Sequence, residues 1–155
     1  MLKILSEMIT SYVAGAIMIF VGIYFRRHIY TKIGNSGISV PSAKENMVKW
    51  LYAQAIGPKF LINNGICLLA ITGFLNIGAM ILDSLQNRAV FISVALAICF
   101  IIGSLMVVNY EVEKFSPECL SDGDEKNRNK WIDKATEYAQ NNQYLNLYEY
   151  VMKTK

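Results

Sequence analysis

The sequence predicts an all-α membrane protein: three transmembrane helices, an interfacial amphipathic helix before the second span, and a C-terminal cytoplasmic helical hairpin. Three observations predict it. Of the 155 residues, 54% are hydrophobic and 17% charged. The charges avoid three blocks, residues 8–25, 60–82 and 89–110, which hold none at all. A helix at a water surface needs a polar face, and these blocks offer none made of charge. A bilayer core of about 30 Å takes roughly 20 apolar residues at a rise of about 1.5 Å each. The third observation is the placing of the basic residues. One precedes the first block, six lie in the loop 26–59, one is Arg88, and seven follow Tyr110. Positive loops stay in the cytoplasm, so the N-terminus is expected outside and the C-terminus inside the cell membrane.

The first span is expected over about 8–25. Arg26 and Arg27 follow it directly, a pattern of retention rather than of signal-peptide cleavage. The loop 26–59 passes Gly34-Asn35-Ser36-Gly37 and reaches Pro41-Ser42-Ala43-Lys44-Glu45. Ser42 with Glu45 three residues on has the form of a capping box, which predicts a helix over 43–56. Met47, Val48, Leu51, Tyr52 and Ala55 share one face of it, and Gly57-Pro58 is expected to stop it. A lysine-bearing amphipathic helix beside a bilayer should lie along the interface, with Trp50 either at the headgroups or packed on the bundle.

Spans two and three, over about 60–82 and 89–110, are joined by a short outer turn, Asp83–Arg88, and so run antiparallel. Ser11 and Gly15 in span one, Ala89, Ser93 and Ala97 in span three, and Ala95, Cys99 and Gly103 beside them recur every four residues. Small residues at that spacing let helices approach closely where lipid supplies no hydrophobic drive. Ser11, Gly15, Ala95, Cys99 and Gly103 are therefore packing candidates, and one such ridge could serve a homo-oligomer. Asn63, Asn64, Asn76 and Asn109 are expected to hydrogen-bond between helices.

Residues 1–110 thus form a three-span membrane domain and 111–155 a cytoplasmic tail. In the tail, Ser116-Pro117-Glu118 reads as a helix start and Asp122-Gly123-Asp124-Glu125 as a polar turn. Trp131, Ile132, Ala135, Tyr138 and Ala139 then repeat at helical spacing, and Tyr144, Leu147, Tyr148 and Val151 do so again. Trp131, Tyr138, Tyr144 and Tyr148 are candidates for binding a cytoplasmic partner.

Catalytic chemistry is not expected. The blocks contain no Asp, Glu or His, the chain has a single histidine, and no phosphate loop, nucleophile turn or zinc helix occurs. Cys67, Cys99 and Cys119 are scattered without a C-x-x-C pair, and no metal or other cofactor is expected. The basic loop is explained by orientation and anionic lipid rather than by nucleic acid.

The stretches Gly22-Ile-Tyr-Phe-Arg26, Ser42-Ala-Lys-Glu-Asn46 and Lys49-Trp50-Leu-Tyr-Ala53-Gln54, with Lys59-Phe60 and Gly65, resemble the SdpI/YfhL family of Gram-positive membrane proteins. The resemblance covers about residues 8–110. Arg27 stands where the family has threonine, and the spacer to Ser42 is longer. The resemblance implies immunity: such proteins protect the cell from a secreted membrane-active toxin, and one sequesters a cytoplasmic repressor at the membrane. Carried over by position, Arg26, Lys44, Glu45, Trp50 and Gln54 are the signature residues. They serve either function or the fold. The expected partners are the lipid bilayer and a peptide or protein toxin. The alternatives are a membrane anchor recruiting a cytoplasmic partner through the tail, and an accessory subunit of a larger membrane complex.

Overall fold

The structure, a computed structural model, describes residues 9–34, 36–115 and 125–155. The element order is α1 (Ile9–Arg27), a 3₁₀ turn (Pro41–Glu45), α2 (Met47–Ile81), α3 (Asp83–Lys114), α4 (Glu125–Gln140) and α5 (Tyr144–Lys153). No strand occurs among the described residues. The helix start expected at Ser116, the polar turn at Asp122 and Cys119 lie outside the described residues.

Among the described residues, three helices are long and apolar enough to cross a membrane: Ile9–Arg27, Met47–Ile81 and Arg88–Lys114. The 19 residues of α1 rise about 28 Å, close to the hydrocarbon thickness. Arg26 and Arg27 sit in its last turn, where positive charge complements the carbonyl end of the helix.

Two elements differ from the sequence reading. The separate helix over 43–56 does not form. Residues 41–45 make the 3₁₀ turn, the Ser42 side chain caps nothing, and the helix begins at Met47 instead. Its cap is Asn46, whose Oδ1 accepts the Lys49 N–H at 2.9 Å. Gly57-Pro58 does not end it, and α2 continues to Ile81. Proline removes one helical donor, leaving the Gln54 carbonyl without its usual partner, and a helix held by packing absorbs that loss. Residues 50–58 are buried on every side, so this stretch is a core helix rather than an amphipathic one lying on an interface. The outer turn expected over 83–88 is also absent. Leu82 alone separates α2 from α3, and residues 83–88 are helical.

The chain forms two compact units. One gathers the described part of Met1–Gly22 with Phe60–Ser104; the other gathers the described parts of Ile23–Lys59 and Leu105–Lys155. The described residues of the tail thus group with the first loop.

In the span unit, α1 meets α2 at two glycines. A Cβ on Gly15 would lie 2.8 Å from the Leu69 side chain and 3.2 Å from the Gly65 carbonyl, and one on Gly65 2.9 Å from the Gly15 carbonyl. Ser11 and Gly15 are buried as the small-residue spacing requires. In α3 the buried ridge is Ala89, Ser93 and Ala97. The other ridge is turned outward: Ala95 and Cys99 are exposed, and a Cβ on Gly103 would touch nothing within 4 Å. Ala95, Cys99 and Gly103 thus do not pack these helices together.

Two apolar clusters, Ala79 with Ala89 and Met18 with Leu68 and Ala97, occupy the same unit. Along α2, Thr72 and Asn76 fall between the residues of those clusters, and Ser93 does so along α3. Asn76 Nδ2 donates to the Tyr12 hydroxyl at 3.2 Å, and Asn64 Nδ2 to Ser104 Oγ at 2.8 Å. The amides thus bond between helices as expected, although Ser11 Oγ, Thr72 Oγ1 and Asn76 Oδ1 are buried without a partner. Asn63 is exposed.

Candidate functional site

The second unit holds every signature residue and every tail candidate. Its centre is the first part of α2. Trp50 is fully buried, and its indole Nε1–H donates to the Tyr30 carbonyl at 2.8 Å. One helical turn on, Gln54 Nε2 donates to the Ile38 carbonyl at 3.1 Å, while its Oε1 accepts the Ile38 N–H at 3.2 Å. Gly37, at φ 85°, supplies the left-handed turn beside it, where any Cβ would stand 2.5 Å from Gln54 Oε1. Ile38 in turn lies against Gly57, with 2.7 Å between its Cγ2 and the place of a Gly57 Cβ. Asn109, at the far end of span three, accepts the Ser42 N–H through Oδ1 at 3.0 Å. The loop is thus tied to α2 and α3 by side chains that bind its backbone.

The remaining signature residues lie at the surface. Glu45 pairs with Lys49 at 2.5 Å, Lys44 is exposed, and Arg26 is exposed with its guanidinium 5.0 Å from the Tyr144 ring centre. Trp50 and Gln54 are load points of the fold, whereas Arg26 faces the tail.

The tail docks through its aromatic side chains. Phe115 stacks on Tyr52 with 3.7 Å between ring centres, and Trp131 lies 6.1 Å from Phe115. Trp131, 2% exposed, donates from Nε1 to Thr154 Oγ1 at 3.0 Å, joining α4 to the end of α5. Tyr138 meets Tyr150 edge-on at 5.8 Å. Tyr144 is buried, and Tyr148 receives Lys59 both over its ring, at 4.6 Å, and at its hydroxyl, at 2.6 Å. Burial pushes the Tyr144 phenol up to about 12, although the Arg26 charge pulls the other way. Lys155 pairs with Glu111 at 2.7 Å, and that carboxylate holds the Lys155 ammonium above its ordinary value.

Trp131 and Tyr144 are therefore turned into the unit, with Tyr138 and Tyr148 half-buried. Tyr52, which helical spacing placed on one face with Val48 and Leu51, completes the docking together with Phe115, Lys59 and Asn142, which spacing did not single out. Phe115 carried one signal, an aromatic residue immediately beyond a span. Among the described residues no group of three or more His, Cys, Asp or Glu side chains could hold a metal ion. No protein-family model, curated protein or solved structure matches the chain.

Proposed function

We propose that the protein protects its cell from a membrane-active toxin by binding it within the bilayer, in the manner of the SdpI-type immunity proteins that its loop resembles. In this reading the N-terminus lies outside and the C-terminus in the cytoplasm, following the basic residues. The observation that carries it is the outward surface of the apolar helices. Phe20, Phe74 and Phe91 are 71%, 75% and 79% exposed, and Ile81 and Met106 add to them. A chain with such a surface and uncharged span blocks offers a membrane peptide a van der Waals face and no chemistry. Sequestering a pore-forming peptide on that face denies it self-association, which needs no catalytic group. The signature Trp50 and Gln54 then build the loop that holds the helices, and recognition falls on the lipid-facing rings.

The test is membrane potential in sensitive Gram-positive cells exposed to an SdpC-type toxin, with and without the protein at matched surface amounts. Maintained potential that is lost in Phe74→Ala/Phe91→Ala supports binding through the span surface. Collapse despite correct insertion sinks immunity to that toxin class.

A second reading, the anchor that recruits a cytoplasmic partner, is favoured by a groove of about 550 Å³ on the tail, lined by Lys130, Asp133, Lys134, Glu137 and Tyr150. Lys130, Asp133, Lys134 and Glu137 give its lining charge, and Trp131, which also lines it, is 2% exposed. A partner captured by the full chain and lost in Lys130→Glu/Lys134→Glu would favour it over immunity.

A further inference from the structure

A cavity of about 690 Å³ opens where the end of α1 meets the turn between α4 and α5. Arg26 and Arg27 line one side, residues 142–146 the other, and no carboxylate among the described residues contributes. Asn142, at φ 53°, makes the turn, and its Oδ1 accepts the Ile29 N–H at 3.4 Å. Gln143 Oε1 accepts Asn146 Nδ2 at 2.8 Å. Both acceptors are thereby occupied within the protein, which leaves the amide N–H groups of Asn142 and Gln143 as donors. Asn146 Oδ1 is the one side-chain amide acceptor left over. Arg27 is exposed and has no hydrogen-bond or ion-pair partner among the described residues, while Arg26 is engaged only by the Tyr144 ring. Two guanidiniums and two amide donors around one opening suit an anion with several oxygens. The apolar neighbours, Ile23 at 39% and Leu145 at 56% exposed, suit the part of the ligand that is not charged.

We propose that this cavity binds the phosphate-bearing headgroup of an anionic phospholipid. The proposal rests on reading α1 as a membrane span. Arg26 and Arg27 then sit at the cytoplasmic boundary, where anionic headgroups are concentrated and each nearby basic residue strengthens binding about fivefold. Free phosphate shares the charge but not the acyl chains that would run along Ile23 and Leu145, so the site is assigned to the lipid.

Native mass spectrometry of the delipidated full chain, titrated with dioleoylphosphatidylglycerol or dioleoylphosphatidylcholine, tests it. The expected result is a preference for phosphatidylglycerol that falls about fivefold in Arg27→Gln and about twenty-fivefold in Arg26→Gln/Arg27→Gln. Arg27→Gln removes no hydrogen bond or ion pair among the described residues, so its reading stands even if the double variant loosens the tail. An unchanged preference in Arg27→Gln would overturn the site, as would an equal loss in the charge-matched Lys32→Gln/Lys153→Gln. Displacement of the lipid by inorganic phosphate at equal concentration would also overturn the lipid assignment. Carbonate extraction of the same membranes reports insertion separately. Release of the wild-type chain would overturn the membrane reading, whereas retention with equal affinity for both lipids overturns the site alone.

Discussion

The side-chain amide of Gln54 closes on both main-chain groups of Ile38, giving a donor to its carbonyl and an acceptor to its N–H. All of these atoms are buried. Gln54→Leu keeps the volume and strands both main-chain groups, at about 1–3 kcal/mol each. A loss of about 2–6 kcal/mol in chemical denaturation, with faster proteolysis of residues 28–40, is the expected outcome. Lys49→Ala, which removes only a surface pair, should cost at most about 0.5 kcal/mol.

Two glycines in the span unit should respond in opposite directions. Gly15 faces Leu69 and the Gly65 carbonyl, so Gly15→Ala must push the helices apart, at about 1–3 kcal/mol. Gly103 faces open space, and Gly103→Ala should gain up to about 1 kcal/mol through helix propensity. Thermal melting in detergent followed by circular dichroism separates them. Equal effects would mean that α1 and α2 do not cross at Gly15.

The buried polar groups of the same unit also divide. Asn64 bonds to Ser104 across two helices, and Asn64→Leu should cost about 0.6–2 kcal/mol. Thr72 Oγ1 has no partner, so Thr72→Val removes a buried polar atom at almost constant shape and should be neutral or stabilising by up to about 1 kcal/mol. Steric-trap or denaturant unfolding in bicelles would read both. Destabilisation by Thr72→Val would show that its hydroxyl is bonded after all.

Tyr144 makes tail docking sensitive to alkali. Its phenol ionises at about 12 when docked, against an ordinary value of about 10. Between those values the undocked chain releases the proton first, so docking is fully stable below pH 10 and weakens as pH rises to 12. The loss attributable to this residue should be about 1–2 kcal/mol, reduced by its partial contact with water. Hydrogen exchange of α5 across that range should show the loss in the wild type and a smaller one in Tyr144→Phe. Identical profiles would place Tyr144 outside the docked surface.

The spans were legible because hydrocarbon excludes charge, and three charge-free blocks admit few other readings. The direction in which each helix faces was less so. Ala89, Ser93 and Ala97 have the same spacing as Ala95, Cys99 and Gly103, yet the ridges are two residues apart, or about 200° round the helix. Spacing identifies both and cannot choose between opposite faces; the partner helices choose. Gly57-Pro58 was misread as a stop because propensity describes an isolated helix. Here burial of Pro58 and the fit of Ile38 against Gly57 outweigh one missing bond. The capping residue was read four positions early, since Ser42 and Glu45 have the pattern of a cap while Asn46 has the geometry. At the candidate site, the importance of Trp50 and Gln54 came from resemblance. Their hydrogen bonds to the backbone of Tyr30 and Ile38 follow from a loop path that side-chain patterns do not encode.

The chain has two tryptophans, Trp50 and Trp131, and both belong to the loop-and-tail unit with their indole N–H groups hydrogen-bonded. Their emission is therefore an intrinsic optical channel for that unit alone. Solvent entry there shifts it to the red, while loosening confined to the contacts among Tyr12, Gly15, Asn64 and Asn76 leaves it unchanged. Titrating a lipid, a toxin or alkali into the unlabelled protein thus shows, from colour alone, which half of the molecule has yielded.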